Sequence, residues 1–174
     1  MTAPDKQLSE SLEDYMEAIF HIEEQKHAAR AKDIAERMQV SNSSVTGALR
    51  LLSEKGLINY APYDIITLTP DGKKVAQDVV QRHEILHDFF IKILAVNEAD
   101  ADEAACKMEH GVSPIILDRI TQFIQFLEKC PRGGRGWLEK FGTYCQQGKD
   151  TEECRACLAQ CIDELRQKWL QPIK

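Results

Sequence analysis

Cys106, Glu109 and His110 put a thiol, a carboxylate and an imidazole within a five-residue stretch. On a helix, positions i, i+3 and i+4 project from one face. A soft, a hard and a borderline donor on one stripe suit a divalent transition metal. The competing reading is an amphipathic helix with Cys106 as a small buried hydrophobe, Glu109 solvated and His110 paired locally. Two further pairs share helical spacing. Asp14 and Glu17 lie at i, i+3, and His83 and His87 at i, i+4. Together these seven side chains are candidate metal ligands on three helices.

His83-Glu84-Ile85-Leu86-His87 also matches HExxH. In zinc peptidases that spacing places two imidazoles on zinc, with the Glu as general base. No extended downstream peptidase signature follows, and Cys106 is an odd third ligand for a hydrolase. The reading as a non-enzyme is therefore preferred. A third reading is a regulator that senses redox state or a small molecule without a metal.

The elements that must carry these residues follow from periodicity. Leu12, Tyr15, Met16, Ile19, Phe20 and Ile22 predict a helix over 9–26, with Ser9 or Ser11 as its cap. A second helix is predicted over 31–38. A third is predicted over 44–55, capped by Asn42 or Ser43 and stopped at Gly56. Leu57–Tyr60 and Ile65–Leu68 are β-prone runs about a Pro62-Tyr63-Asp64 turn, which predicts a hairpin. Thr69-Pro70-Asp71-Gly72 then opens a long helix reaching about Leu94. Further helices are predicted over 98–112 and 114–129, split at Ser113-Pro114.

Three helices followed by a hairpin is the order of a winged helix-turn-helix. The third helix offers Asn42, Ser43, Ser44, Thr46, Gly47 and Arg50 along its start and outer face, where a recognition helix meets base edges. Lys32, Arg37, Lys55 and the wing are candidates for phosphate contacts. The competing reading is a capped, solvated surface helix. Overall charge is −6, so the protein is not uniformly basic. Residues 26–75 nevertheless hold eight Lys and Arg against five acids, a mildly basic block. The apolar helices beyond residue 94 predict a dimerisation domain, which supplies the two-fold symmetry of paired half-sites.

The expected fold is mainly α, a winged helix-turn-helix over 1–72 followed by an all-helical dimerisation and metal-binding domain over 73–129. A cysteine-rich helical extension occupies 130–174. That extension holds Cys130, Cys145, Cys154, Cys157 and Cys161, a density compatible with structural Zn or an iron–sulfur cluster, or with reduced, partly buried thiols. No apolar run reaches membrane-spanning length and no signal-peptide pattern opens the chain, so a cytoplasmic protein is expected.

Several ordered stretches sharpen this. Leu12-Glu13-Asp14-Tyr15-Met16-Glu17, Asp33-Ile34-Ala35-Glu36-Arg37, Ser43-Ser44-Val45-Thr46, Leu68-Thr69-Pro70-Asp71-Gly72-Lys73, Arg82-His83-Glu84-Ile85-Leu86 and Glu109-His110 resemble the diphtheria-toxin-repressor family of metal-dependent repressors. The shorter manganese-transport-regulator branch is the most similar. The resemblance implies that Asp14, Glu17, His83, Glu109 and His110 are ligands, with His87 at an ancillary-site position. It implies a homodimer bound to double-stranded operator DNA. Cys106 matches the iron-sensing branch, where the manganese branch has Glu, so Fe(II) is expected ahead of Mn(II). Gly47 stands where the family more often has a long polar side chain. The chain is too short for the SH3-like domain of longer members, so ligands from that domain are expected to be absent.

Overall fold

A computed structural model describes residues 8–61, 65–129, 135–147, 159, 160 and 163. Helix α1 spans Glu10–Lys26, α2 Ala31–Met38 and α3 Asn42–Glu54. Strands β1 (Ile58–Asn59) and β2 (Thr67–Leu68) pair antiparallel, with Ile58 opposite Leu68 and Asn59 opposite Thr67. Helix α4 then runs over Pro70–Lys92, α5 over Glu98–Met108, α6 over Pro114–Lys129 and α7 over Arg135–Gln147. The protein is mainly helical, as its periodicity predicts.

Three local readings need correction. Helix α3 begins at Asn42, two residues early, because Ser41 caps it. The Ser41 hydroxyl accepts from Ser44 N–H at 3.2 Å, and Asn42 and Ser43 lie inside the first turn. Helix α5 stops at Met108 rather than near 112. Gly111 and Val112 N–H both return to the Met108 carbonyl, which closes a turn ahead of Pro114. The strands are shorter than predicted, and the turn residues 62–64 lie outside the described residues. One pairing was not foreseen: Ala29 and Ile66 exchange both backbone hydrogen bonds, at 2.9 and 2.7 Å, so the α1–α2 connection joins the wing.

Two cores share one helix. Met16, Ile19, Ile34, Val45, Leu49, Leu52 and Ile66 are fully buried in the first, together with Ala76 from the start of α4. Leu86 and Phe90, further along α4, bury against Ala101, Ala105 and Leu117 in the second. A smaller cluster of Ile93, Ile124 and Leu127 takes Leu138 from α7. The junction is fixed at the root of α4. Thr69 N–H donates to the Leu57 carbonyl at 3.0 Å and Thr69 Oγ1 to the Gly56 carbonyl at 2.8 Å, and Thr69 Oγ1 caps Gly72 N–H.

Two glycines make opposite predictions. A Cβ on Gly72 meets the Leu57 carbonyl oxygen at 1.8 Å, whereas one on Gly47 meets nothing within 4 Å. Gly72→Ala must displace backbone and is expected to lower stability by about 1–3 kcal/mol. Gly47→Ala is expected to raise it by roughly 0.5–1 kcal/mol through helix propensity. Urea unfolding of the two variants beside the parent checks both signs.

Candidate metal centre

The candidate ligands come from three helices, with α4 packed between α1 and α5. Asp14 and Glu17 lie on α1, one turn apart and facing α4. His83 lies in the middle of α4, and Glu109 and His110 follow directly on α5. Glu109 is the C-cap of α5 and keeps helical torsions, and its N–H still bonds the Ala105 carbonyl. That last bond turns its carboxylate inward. Glu109 is 0% exposed, the one buried charged side chain among the described residues.

Its surroundings are imidazole and carboxylate. Glu109 Oε2 lies 2.8 Å from His83 Nδ1, and Glu109 Oε1 lies 3.4 Å from His110 Nε2. His110 Nε2 in turn lies 2.8 Å from Asp14 Oδ1. Two sets of potential ligand atoms cluster within 4.8 Å: Asp14, Glu109 and His110, and Glu17, His83 and Glu109. Glu109 belongs to both.

The electrostatics point the same way. Burial raises the Glu109 and Asp14 carboxyls above their usual range, only partly offset by the neighbouring imidazoles. Burial also acts to raise Glu17, but its hydrogen bond to His21 and the charge of His83 lower it overall. The hydrogen bond to Glu109 raises His83 against desolvation. Desolvation acts to lower His110, yet its Glu13 and Asp14 partners raise it on balance. Glu109 Oε1 accepts no hydrogen bond although fully buried. An anionic oxygen so placed is costly unless a cation or donor meets it. A divalent cation fits that donor set of three carboxylates and two imidazoles.

The remaining candidates are less central. Cys106 is exposed on the last turn of α5 and belongs to neither cluster. It stays one turn before Glu109, whose helical torsions and bond to the Ala105 carbonyl extend the stripe by one residue. Desolvation and the carboxylates of Glu109, Asp14 and Glu17 push its thiol up. His87 stacks on His83 with ring centroids 6.0 Å apart and also stands outside both clusters. Cys145 is exposed on α7, while Cys130, Cys154, Cys157 and Cys161 lie outside the described residues. Four neighbours went unread in the sequence. Glu13 contacts His110 Nδ1 at 2.8 Å, and Asp102 contacts His83 Nε2 at 3.3 Å. His21 lies 3.5 Å from Glu17, and Arg82 donates to Glu13 at 3.0 Å. His21 could have been found by its i, i+4 spacing from Glu17 on α1, whereas Glu13, Asp102 and Arg82 are distinguished only by contacts between helices.

At the other end of the first module, Lys32, Arg37, Asn42, Ser43, Ser44, Gly47 and Arg50 are exposed, and Thr46 is half-buried. Thr46 Oγ1 donates to the Asn42 carbonyl, and the Ser43 and Ser44 hydroxyls bond Ser41 Oγ. Lys32 lies 3.6 Å from Glu36.

A winged helix-turn-helix tied through one long helix to a helical module, with a carboxylate–imidazole cluster at their junction, defines the protein as a winged-helix regulator. Residues 7–65 match the iron dependent repressor N-terminal DNA binding domain, and residues 69–138 match the iron dependent repressor metal binding and dimerisation domain. The chain belongs to the iron-dependent repressor family, whose members are metal-dependent transcriptional regulators and not enzymes. An uncharacterised HTH-type transcriptional regulator of Methanocaldococcus jannaschii is 34% identical over 119 residues, which cover 68% of this chain and 95% of that protein. The HTH-type transcriptional regulator MntR of Geobacillus thermodenitrificans is 38% identical over 122 residues, covering 70% and 86%. A solved manganese-dependent transcriptional repressor in complex with manganese is similar with a TM-score of 0.61 at 30% identity. That match covers 70% of this chain and 56% of the solved one, so this chain spans little more than half the length of that relative.

The raised groups set a pH dependence. His83 and His110 bind protons more tightly when folded, so their stabilisation is complete below about pH 6.5 and is lost as pH rises through their raised values. The metal-free protein is therefore expected to melt at lower temperature at pH 8 than at pH 6.5. Added Mn(II) is expected to reverse that slope, because its ligands bind deprotonated. Thermal melting at both pH values, with chelator and with Mn(II), checks it.

Proposed function

We propose that this protein is a homodimeric repressor whose affinity for operator DNA depends on Mn(II) or Fe(II) held between its two modules. The carboxylate of Glu109, with Oε2 on His83 and a fully buried Oε1 that accepts no hydrogen bond, carries the reading. Asp14, Glu17, His83, Glu109 and His110 are the proposed ligands. When bound, a divalent cation supplies the positive charge that this carboxylate cluster lacks. Asp14 and Glu17 then hold α1, and with it the winged module, at one angle to α4 and α5. The proposed units are 1–72 for DNA, 73–129 for metal and dimerisation, and 130–174 as an extension.

Oxygen and imidazole donors suit Mn(II) and Fe(II) alike. Cys106, exposed one turn before Glu109, is the group that would tilt selection towards Fe(II). The dimer reading draws on α6, where Ile115, Ile116, Phe123 and Phe126 stay 43–66% exposed. An exposed apolar face of that kind suits a second copy of the chain. Asn42, Ser43, Ser44, Thr46, Gly47 and Arg50 would face the major groove, with Lys32 and Arg37 near phosphates. No helix among the described residues is long and apolar enough to cross a membrane.

Operator binding, titrated anaerobically with Mn(II), Fe(II) and Zn(II) at fixed salt, is the direct test. Affinity is expected to fall at least tenfold with chelator and equally in Glu109→Ala or His110→Ala. Metal-independent binding by the parent would overturn the reading. Linkage also requires operator DNA to tighten metal binding by the same factor. In the same titration Cys106→Ala is expected to weaken Fe(II) and Zn(II) more than Mn(II), by roughly tenfold in ratio.

A further inference from the structure

His110 has a second partner that the proposed ligand set does not use. Its Nε2 faces Asp14 and Glu109, while its Nδ1 lies 2.8 Å from Glu13 Oε2. The side chain is only 7% exposed, so water does not compete for that nitrogen. Glu13 is itself held. Arg82 Nη2 donates to the same Oε2 at 3.0 Å, and both side chains are mostly buried, at 14% and 16% exposure. Arg82 Nη1 donates to the Glu109 backbone carbonyl at 3.1 Å. That carbonyl lies beyond the last turn of α5 and has no helical donor to meet it. One guanidinium from α4 thus holds a carboxylate on α1 and the main chain at the end of α5.

Resting on the metal-site reading above, we propose that Glu13, fixed by Arg82, is a positioning residue for His110. It accepts a hydrogen bond from Nδ1–H and so leaves Nε2 as the nitrogen presented to a divalent cation beside Asp14 and Glu109. A ligating histidine commonly donates its other ring N–H to a carboxylate, which sets both tautomer and ring orientation. Asp102, 71% exposed and 3.3 Å from His83 Nε2, is a looser counterpart on the other imidazole. The Glu13–Arg82 pair is the stronger device because Glu13 is 14% exposed and held by a 3.0 Å bond to Arg82, whereas Asp102 is largely in solvent. Neither residue touches the proposed cation, so both act through His110 and the Glu109 main chain.

The test uses the full chain and two readouts. Mn(II) affinity is measured for the parent, Glu13→Gln, Glu13→Leu and the double variant Glu13→Leu/Arg82→Met. The double variant removes the buried pair without leaving Arg82 unpartnered, which guards the fold. Cd(II)-loaded, 15N-histidine-labelled samples report which His110 nitrogen is coupled to cadmium. Glu13→Leu and the double variant are expected to lose 10–100-fold in Mn(II) affinity and to lose uniform Nε2 coupling. Glu13→Gln, which keeps an acceptor oxygen, is expected to recover most of both. Parent-like affinity and Nε2 coupling in the double variant would overturn the proposal while leaving the site reading intact. Equal losses in the Gln and Leu variants with Nε2 coupling retained would also overturn it. Parent protein that binds Mn(II) no better than Glu109→Ala would instead remove the site reading, and this proposal with it.

Discussion

A carboxylate without access to water is the constraint on which the junction of this protein depends. Glu109 is sealed by the packing of α1, α4 and α5, yet one of its oxygens has no donor. Burying such a group costs several kcal/mol unless charge is matched locally. The imidazoles of His83 and His110 supply part of the match, each from a different element. Everything else at the junction serves to keep those elements in place. The Arg82–Glu13 bridge reaches it directly, and the packing of α4 against α1 and α5 frames it.

The arrangement separates two kinds of work. The apolar cores hold each module together and depend little on pH or ions. The polar seam between the modules depends on protons and charge. Raised imidazoles and raised carboxyls in one cluster mean that the metal-free seam is a proton-rich network. In the proposed reading a single cation replaces those protons. Such a seam can change its occupancy without disturbing either core, which is what a sensor between rigid parts requires.

Much of this was legible in the sequence, for physical reasons that differ by element. The long amphipathic helices read correctly because their burial is one-sided, and α2 was placed to the residue. The start of α3 was misread because four consecutive polar residues, Ser41 to Ser44, all have capping chemistry. Only the hydrogen bond to Ser44 N–H singles out Ser41. Asp14, Glu17, His83, Glu109 and His110 were legible as donors at helical spacing, and the structure brings them together. Cys106 shares that spacing and the field of the same carboxylates, but it is exposed and stands outside both ligand clusters, which spacing alone does not reveal. Glu13 and Arg82 carried no local signal. Each sits beside a more conspicuous neighbour, and their pairing spans 69 positions of the chain.

Helix α4 is shared by both cores, and that gives it the character of a lever. Its first turns are embedded in the winged module through Ala76, and its later turns in the helical module through Leu86 and Phe90. From Pro70 to His83 it is roughly 20 Å long. A pivot of about 10° near His83 therefore sweeps its far end through roughly 3.5 Å, close to the 3.4 Å rise of one base step. In the proposed reading, a small change of angle at the metal site is thus amplified by the length of α4 before it reaches the winged module.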